Sequence, residues 1–129
     1  GCLFLDENGR CSIHSFRPGI CRLFPLGRIY ENESFSYFLQ INECVKQNRT
    51  KVKIKKWLGI PNLAAYENYI NTWHYFLKNM KAFLEEQDNE EMSKKINVYI
   101  LKIFFEESYN NEDFYTQFEK RMQKMQQIF

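Results

Sequence analysis

Cys2-Leu-Phe-Leu-Asp-Glu-Asn-Gly-Arg-Cys-Ser-Ile-His-Ser-Phe-Arg-Pro-Gly-Ile-Cys-Arg-Leu-Phe-Pro25 carries three of the four cysteines of this 129-residue chain. The fourth, Cys44, follows one more short structured stretch, and no cysteine comes after it. Clustered cysteines hold a metal ion, an iron–sulfur cluster or a disulfide staple. Asn8-Gly9 is a strong two-residue hairpin signal, set between Leu3-Phe4-Leu5 and Cys11-Ser12-Ile13. Pro18 suits the start of a short helix, and Pro25 ends it.

Outward from this stretch, Arg28-Ile-Tyr30 and Phe35-Ser-Tyr-Phe-Leu-Gln-Ile41 read as a second hairpin joined by Glu31-Asn32-Glu33-Ser34. Cys44 and a basic run from Lys46 to Lys56 follow. Near Pro61 the pattern changes from period two to helical spacing. Leu63, Tyr66, Ile70, Trp73, Leu77, Met80 and Leu84 recur every three or four residues. The polar cluster from Glu85 to Asn89 closes that helix. Met92, Ile96, Tyr99, Ile100 and Ile103 form a second stripe, broken at Asn110-Asn111. Phe114, Phe118, Met122 and Met125 form a third. Such stripes are helix-packing cores. The fold class expected is α+β: a small cysteine-bearing β-hairpin region, residues 1–60, packed on a C-terminal bundle of about three helices, residues 61–129. Together they are expected to make one compact domain.

Composition bounds the function. Twelve Phe, eight Tyr and two Trp fill a core quickly in a chain with five Gly and three Pro. A net charge of +2 argues against a nucleic-acid or membrane partner. It is unevenly spread. Residues 1–60 hold ten Lys/Arg against five Asp/Glu, about +5, and residues 61–129 hold eight against eleven, about −3. No stretch approaches the roughly 20 apolar residues of a membrane span, and no signal peptide is visible. Gly1, next to a cysteine and not preceded by Met, suggests a trimmed or incomplete N-terminus. A cytoplasmic, reducing location is therefore the default, and there clustered cysteines favour metal over disulfide.

The cysteines are spaced C-x8-C-x9-C-x22-C, without a C-x2-C knuckle. With a two- or four-residue loop at Asn8-Gly9, Cys11 faces Asp6 or Phe4. Alternation then puts Cys2 on the same face as Cys11. A helix after Pro18 brings Cys21, and Cys44 arrives at the end of the second hairpin. Four thiolates suit tetrahedral zinc or a four-iron cluster. Arg10, Arg17, Arg22 and Arg28 crowd this region. They either neutralise thiolates and donate hydrogen bonds to sulfur, or cap carbonyls and cover aromatics. Alternation places His14 on the face opposite Cys11, and lone histidines such as His14 and His74 are more often packed side chains than ligands. In the basic run, alternation gives Val52 and Ile54 to the interior and the lysines to water. The run is too short to carry nucleic-acid binding. No catalytic triad, HExxH or phosphate loop is present.

Cys-x-Phe-Leu, Gly-Arg-Cys-Ser-Ile-His, Arg-Pro-Gly-Ile-Cys-Arg-Leu-Phe-Pro and the later Glu-Cys together resemble the bacterial YkgJ-like cysteine-cluster family, described as zinc- or iron-chelating. The resemblance covers about residues 2–44. It implies metal ligation by Cys2, Cys11, Cys21 and Cys44, with Arg17, Pro18 and Pro25 in its Arg-Pro-x-x-Cys-Arg-x-Phe-Pro signature. The family's C-x-x-C-x-x-x-C-C cluster lies upstream of the matching residues and is not in this sequence. Some members carry the name flagellin lysine methylase, others iron–sulfur protein. Three functions follow as expectations: a chelator of zinc or an iron–sulfur cluster, an iron–sulfur component of a protein-modifying enzyme, or a structural protein whose cysteines stay unligated. The metal ion is the partner implied, and neither a protein partner nor a substrate is identified.

Overall fold

The structure, a computed structural model, describes residues 1–40 and 52–128. The chain divides into two compact units, Gly1–Leu63 and Ala64–Phe129. A two-stranded antiparallel sheet in the first and long helices dominating the second make the fold α+β.

The first unit is built from short elements. After a 3₁₀ turn at His14–Phe16 come helix α1 (Gly19–Leu23), strands β1 (Leu26–Glu31) and β2 (Ser34–Leu39), and helix α2 (Ile54–Leu58). Pro18 sits at the N-cap of α1 and Phe24 at its C-cap, where Pro25 prevents continuation. The second hairpin forms where alternation placed it, with Glu31 opposite Ser34 and Leu26 opposite Leu39. Its turn residues Asn32 and Glu33 both have positive φ, 52° and 60°, as a primed two-residue turn demands. On one face the Tyr30 and Phe35 rings lie 5.4 Å apart, and Phe35 meets Tyr37 edge-on at 5.3 Å. On the other, Gly27 leaves room for the Phe38 ring, into which any Cβ would run.

Two expectations fail in this unit. The first hairpin reduces to a single bridge, Leu5 opposite Cys11. The loop between them therefore holds five residues, Asp6 to Arg10. An odd loop reverses the parity that an even one sets, so odd-numbered Leu5 stands across from Cys11 rather than Asp6 or Phe4. Asp6 dictates this: its Oδ1 accepts the backbone N–H groups of Asn8 and Arg10, both at 2.9 Å, while its own N–H donates to the Arg10 carbonyl at 2.8 Å. An Asx turn has outcompeted the tight Asn-Gly turn. Val52 and Ile54 are likewise not interior, at 44% and 39% exposure. The chain turns helical at Ile54, so Leu58, one turn on, is the residue that is buried.

The second unit follows its stripes. Helix α3 (Leu63–Gln87) begins two residues after Pro61, and α4 (Glu90–Leu101) runs into a π-helical turn, Lys102–Glu106, before α5 (Phe114–Ile128). Asn89 caps α4 through Oδ1, which accepts the Met92 N–H at 3.1 Å; such a cap stabilises a helix by about 1 kcal/mol. Asp113 does the same for α5 through the Thr116 N–H. The buried core is Ile96, Ile100, Ile103, Phe104, Phe118 and Met125. From α3 it receives Tyr69, Trp73, Phe76, Met80 and Leu84. Tyr69 and Phe76 replace Tyr66, Ile70 and Leu77 in the expected stripe, and Leu77 and Tyr99 are exposed. The rings pack edge to face: Tyr69 on Phe118 at 4.7 Å, Trp73 on Phe104 at 4.8 Å. Each such pair adds about 0.5–1.5 kcal/mol beyond area burial.

The π turn lets consecutive Ile103 and Phe104 both face the core. Its wider winding is marked by the Glu107 N–H, which donates to the Lys102 carbonyl five residues back. Arg121 of α5 then binds the carbonyls of Ile103, Glu107 and Ser108 at 2.5, 2.7 and 2.9 Å, and lies 3.6 Å over the Tyr109 ring. Buried Gln117 closes the loop into α5. Its Oε1 accepts the Asn110 N–H at 3.0 Å, and its Nε2 donates to the Glu112 carbonyl at 2.8 Å.

Gln117→Leu should therefore destabilise the chain by about 1–3 kcal/mol, because it removes two hydrogen bonds that tie the loop to α5. Denaturant unfolding followed by helical circular dichroism measures this. The Tyr69 hydroxyl is held above the ordinary tyrosine range, chiefly by burial and secondarily by Tyr109, Tyr66 and Tyr115. The folded state keeps that proton more tightly than the unfolded chain. Its stabilising contribution is thus complete below about pH 10 and lost as pH rises further. Tyr69→Phe should flatten the alkaline fall in stability, read from melting temperatures between neutral and strongly alkaline pH.

Candidate metal centre

Three of the four sequence-marked cysteines lie within the first unit, and Cys44 lies outside the described residues. Cys2, Cys11 and Cys21 are free thiols. Cys2 and Cys21 are exposed, and Cys11 is half-buried at the bridge to Leu5. The Leu3-Phe4 turn directly follows Cys2, where the Leu5 N–H reaches back to the Cys2 carbonyl at 3.5 Å. Cys2 is thus on a turn and not on a strand. The common face expected for Cys2 and Cys11 has no basis in this backbone.

Cys21 sits in the single turn of α1. Its N–H donates to the Pro18 carbonyl at 2.9 Å, so the Arg-Pro-Gly-Ile-Cys order places the thiol one turn after the proline. Leu58, the last residue of α2, is buried, and two reciprocal hydrogen bonds join α1 to α2. Arg22 Nη1 donates to the Leu58 carbonyl at 3.5 Å, and Trp57 Nε1 donates to the Phe24 carbonyl at 3.0 Å. Arg22 also donates to the carbonyls of Arg17 and Ser15, at 3.1 and 3.2 Å.

The other marked side chains act locally. Arg17 Nε donates to the His14 carbonyl at 3.0 Å. Arg10 enters the Asp6 loop through its backbone N–H and carbonyl. His14 lies on the 3₁₀ turn, not on a strand. The His74 ring meets Tyr75 edge-on at 5.1 Å in α3. Of the two roles open to the arginines, Arg17 and Arg22 perform carbonyl capping. Trp57 escaped the sequence reading as part of this region. Its signal was present in the Lys-Lys-Trp-Leu-Gly order, but nothing in spacing tells which carbonyl an indole N–H will find.

The donor chemistry fits a thiophilic metal: the three described cysteines are unpaired, and no disulfide uses them. Among the described residues, no three His, Cys, Asp or Glu side chains converge as a metal-holding group. These residues therefore supply donors singly, not as a closed cage. Nor, among the described residues, is any helix long and apolar enough to cross a membrane.

Comparison with known proteins bears on the same stretch. Residues 1–48 match the model of the CxxCxxCC family, whose description is "Putative zinc- or iron-chelating domain". The match bears out the resemblance to a YkgJ-like cysteine-cluster family read from the sequence, and it supports metal binding in general. No curated protein and no solved structure matches the chain.

In native metal-free protein, Cys2 and Cys21 should alkylate faster than Cys11, in line with their exposure. Timed iodoacetamide labelling with peptide mass spectrometry gives that order directly.

Proposed function

We propose that this chain is a thiolate metal-binding protein, with zinc or an iron–sulfur cluster held by Cys2, Cys11, Cys21 and Cys44. The observation that carries this reading is that Cys11 and Cys21 stand as free thiols inside the segment matched by the chelating-domain model. Thiolate ligands suit both zinc and iron–sulfur clusters, and the local environment decides between them. Arg10, Arg17 and Arg22 stand beside Cys11 and Cys21 in the sequence, and their positive charge would offset the net negative charge of a tetrathiolate zinc site. A reducing cytoplasm keeps the thiols available. Residues 1–60 act as the cysteine-bearing part and residues 61–129 as a helical part of the same domain.

An unfolded chain rarely holds a preformed site, so metal binding is coupled to folding. The donors are not gathered among the described residues, so binding itself would draw them together. Cys11→Ser and Cys21→Ser should each lower bound metal and melting temperature together. The experiment is anaerobic purification of the full-length protein, followed by elemental analysis and a UV–visible spectrum of wild type and both variants. Stoichiometric zinc without visible colour supports a zinc site, and iron with sulfide-to-iron absorption supports a cluster. Protein without stoichiometric metal, or serine variants that retain it fully, replaces this reading with a structural role for buried and surface thiols.

A further inference from the structure

We infer that the element positioning the Cys21 thiolate extends beyond the family-matched residues 1–48 to α2, and that Arg22 and Trp57 are its positioning residues. This rests on the chelation reading above, and adds to it the residues through which one ligand is held in place.

Helix α1 has five residues and α2 has five. Helices that short are not stable alone in water. Each also ends in carbonyls without intrahelical partners. The structure solves both problems with one arrangement. Trp57 of α2 donates its indole N–H to the carbonyl of Phe24, the C-cap residue of α1. Arg22 of α1 donates to the carbonyl of Leu58, the last residue of α2. The bonds run in opposite directions, so neither helix slides along the other without breaking one. Gly59 ends α2 with φ +61°, a left-handed conformation that favours glycine. Remaining Arg22 donors reach back to Ser15 and Arg17. The guanidinium thus joins the turn before α1, α1 itself and the end of α2.

Cys21 is the residue next to Arg22 in this single helical turn, and its thiol is exposed. The backbone that aims that thiol is fixed by the two latch bonds rather than by the helix itself. Partners that orient a ligand typically cost 10- to 100-fold in metal affinity when removed. The latch acts on Cys21 and leaves Cys11 alone, because Cys11 hangs on the separate Asp6 loop.

The test is anaerobic Co²⁺ titration of the full chain in competition with a chelator. Co²⁺ serves as a spectroscopic probe of thiolate ligation. Trp57→Phe keeps an aromatic side chain and deletes the indole N–H. It should weaken Co²⁺ binding by about 10-fold, as should Arg22→Gln. In a Cys11→Ser background Trp57→Phe should weaken binding again, and in a Cys21→Ser background it should change nothing further. Circular dichroism of each variant checks that the helical content is retained. Wild-type affinity in both Trp57→Phe and Arg22→Gln overturns the latch while leaving the chelation reading intact. Equal weakening in the Cys21→Ser background overturns it too, because the effect is then general stability. Wild-type protein that binds neither Co²⁺ nor native metal overturns both.

Discussion

A helix end leaves carbonyls that must find donors, and in both units of this protein an arginine supplies them. Arg22 serves the carbonyls of Ser15, Arg17 and Leu58, and Arg121 serves those of Ile103, Glu107 and Ser108. A guanidinium carries five donors in a rigid plane, so one side chain can satisfy several carbonyls that no local backbone reaches. Lysine, with a compact charge on a flexible stem, does this less well. Where the chain winds in single turns or a π turn, regular hydrogen bonding is incomplete, and these two side chains complete it. The short elements around the cysteines and the sharp exit from α4 both depend on that capacity.

The same constraint shapes the candidate metal centre. A cysteine ligand is useful only if its backbone is held, yet five-residue helices and a one-bridge loop hold little by themselves. The Asp6 carboxylate organises the loop before Cys11, and the Arg22–Trp57 pair organises the turn around Cys21. Carbonyl binding occupies Arg22 with its own backbone, so its charge reaches any thiolate through space rather than by a committed hydrogen bond. The second unit uses such an arrangement only at the exit from α4, through Arg121. Its core of aromatic rings around Trp73, Phe104 and Phe118 joins α3, the π turn and α5.

Much of this was legible in the chain. The second hairpin, the helix after Pro18, the helical character beyond Pro61 and the third apolar stripe all follow from local rules of period, punctuation and turn chemistry. The reading went astray where two local rules competed. Asn8-Gly9 favours a two-residue turn, but Asp6 offers the backbone an Asx turn that encloses five residues, and one residue more or less reverses every side chain's face. Around Val52 and Ile54 the alternation of a strand and the first turn of a helix share the same letters. In α3 the apolar residues outnumber the positions one face can hold, so packing against α4 and α5 chose Tyr69 and Phe76 over Ile70 and Leu77.

The sequence by itself determined the α+β class, the cysteine chemistry and the family signature, because these depend on residue type and on short-range order. Tertiary structure alone decided which distant carbonyls Arg22 and Arg121 meet and that Trp57 is tied to Phe24. Those outcomes rest on contacts across as many as 36 residues of chain between Arg22 and Leu58. Two bonds that close such a loop are selected by the geometry of the assembled helices, and no local pattern of letters encodes it.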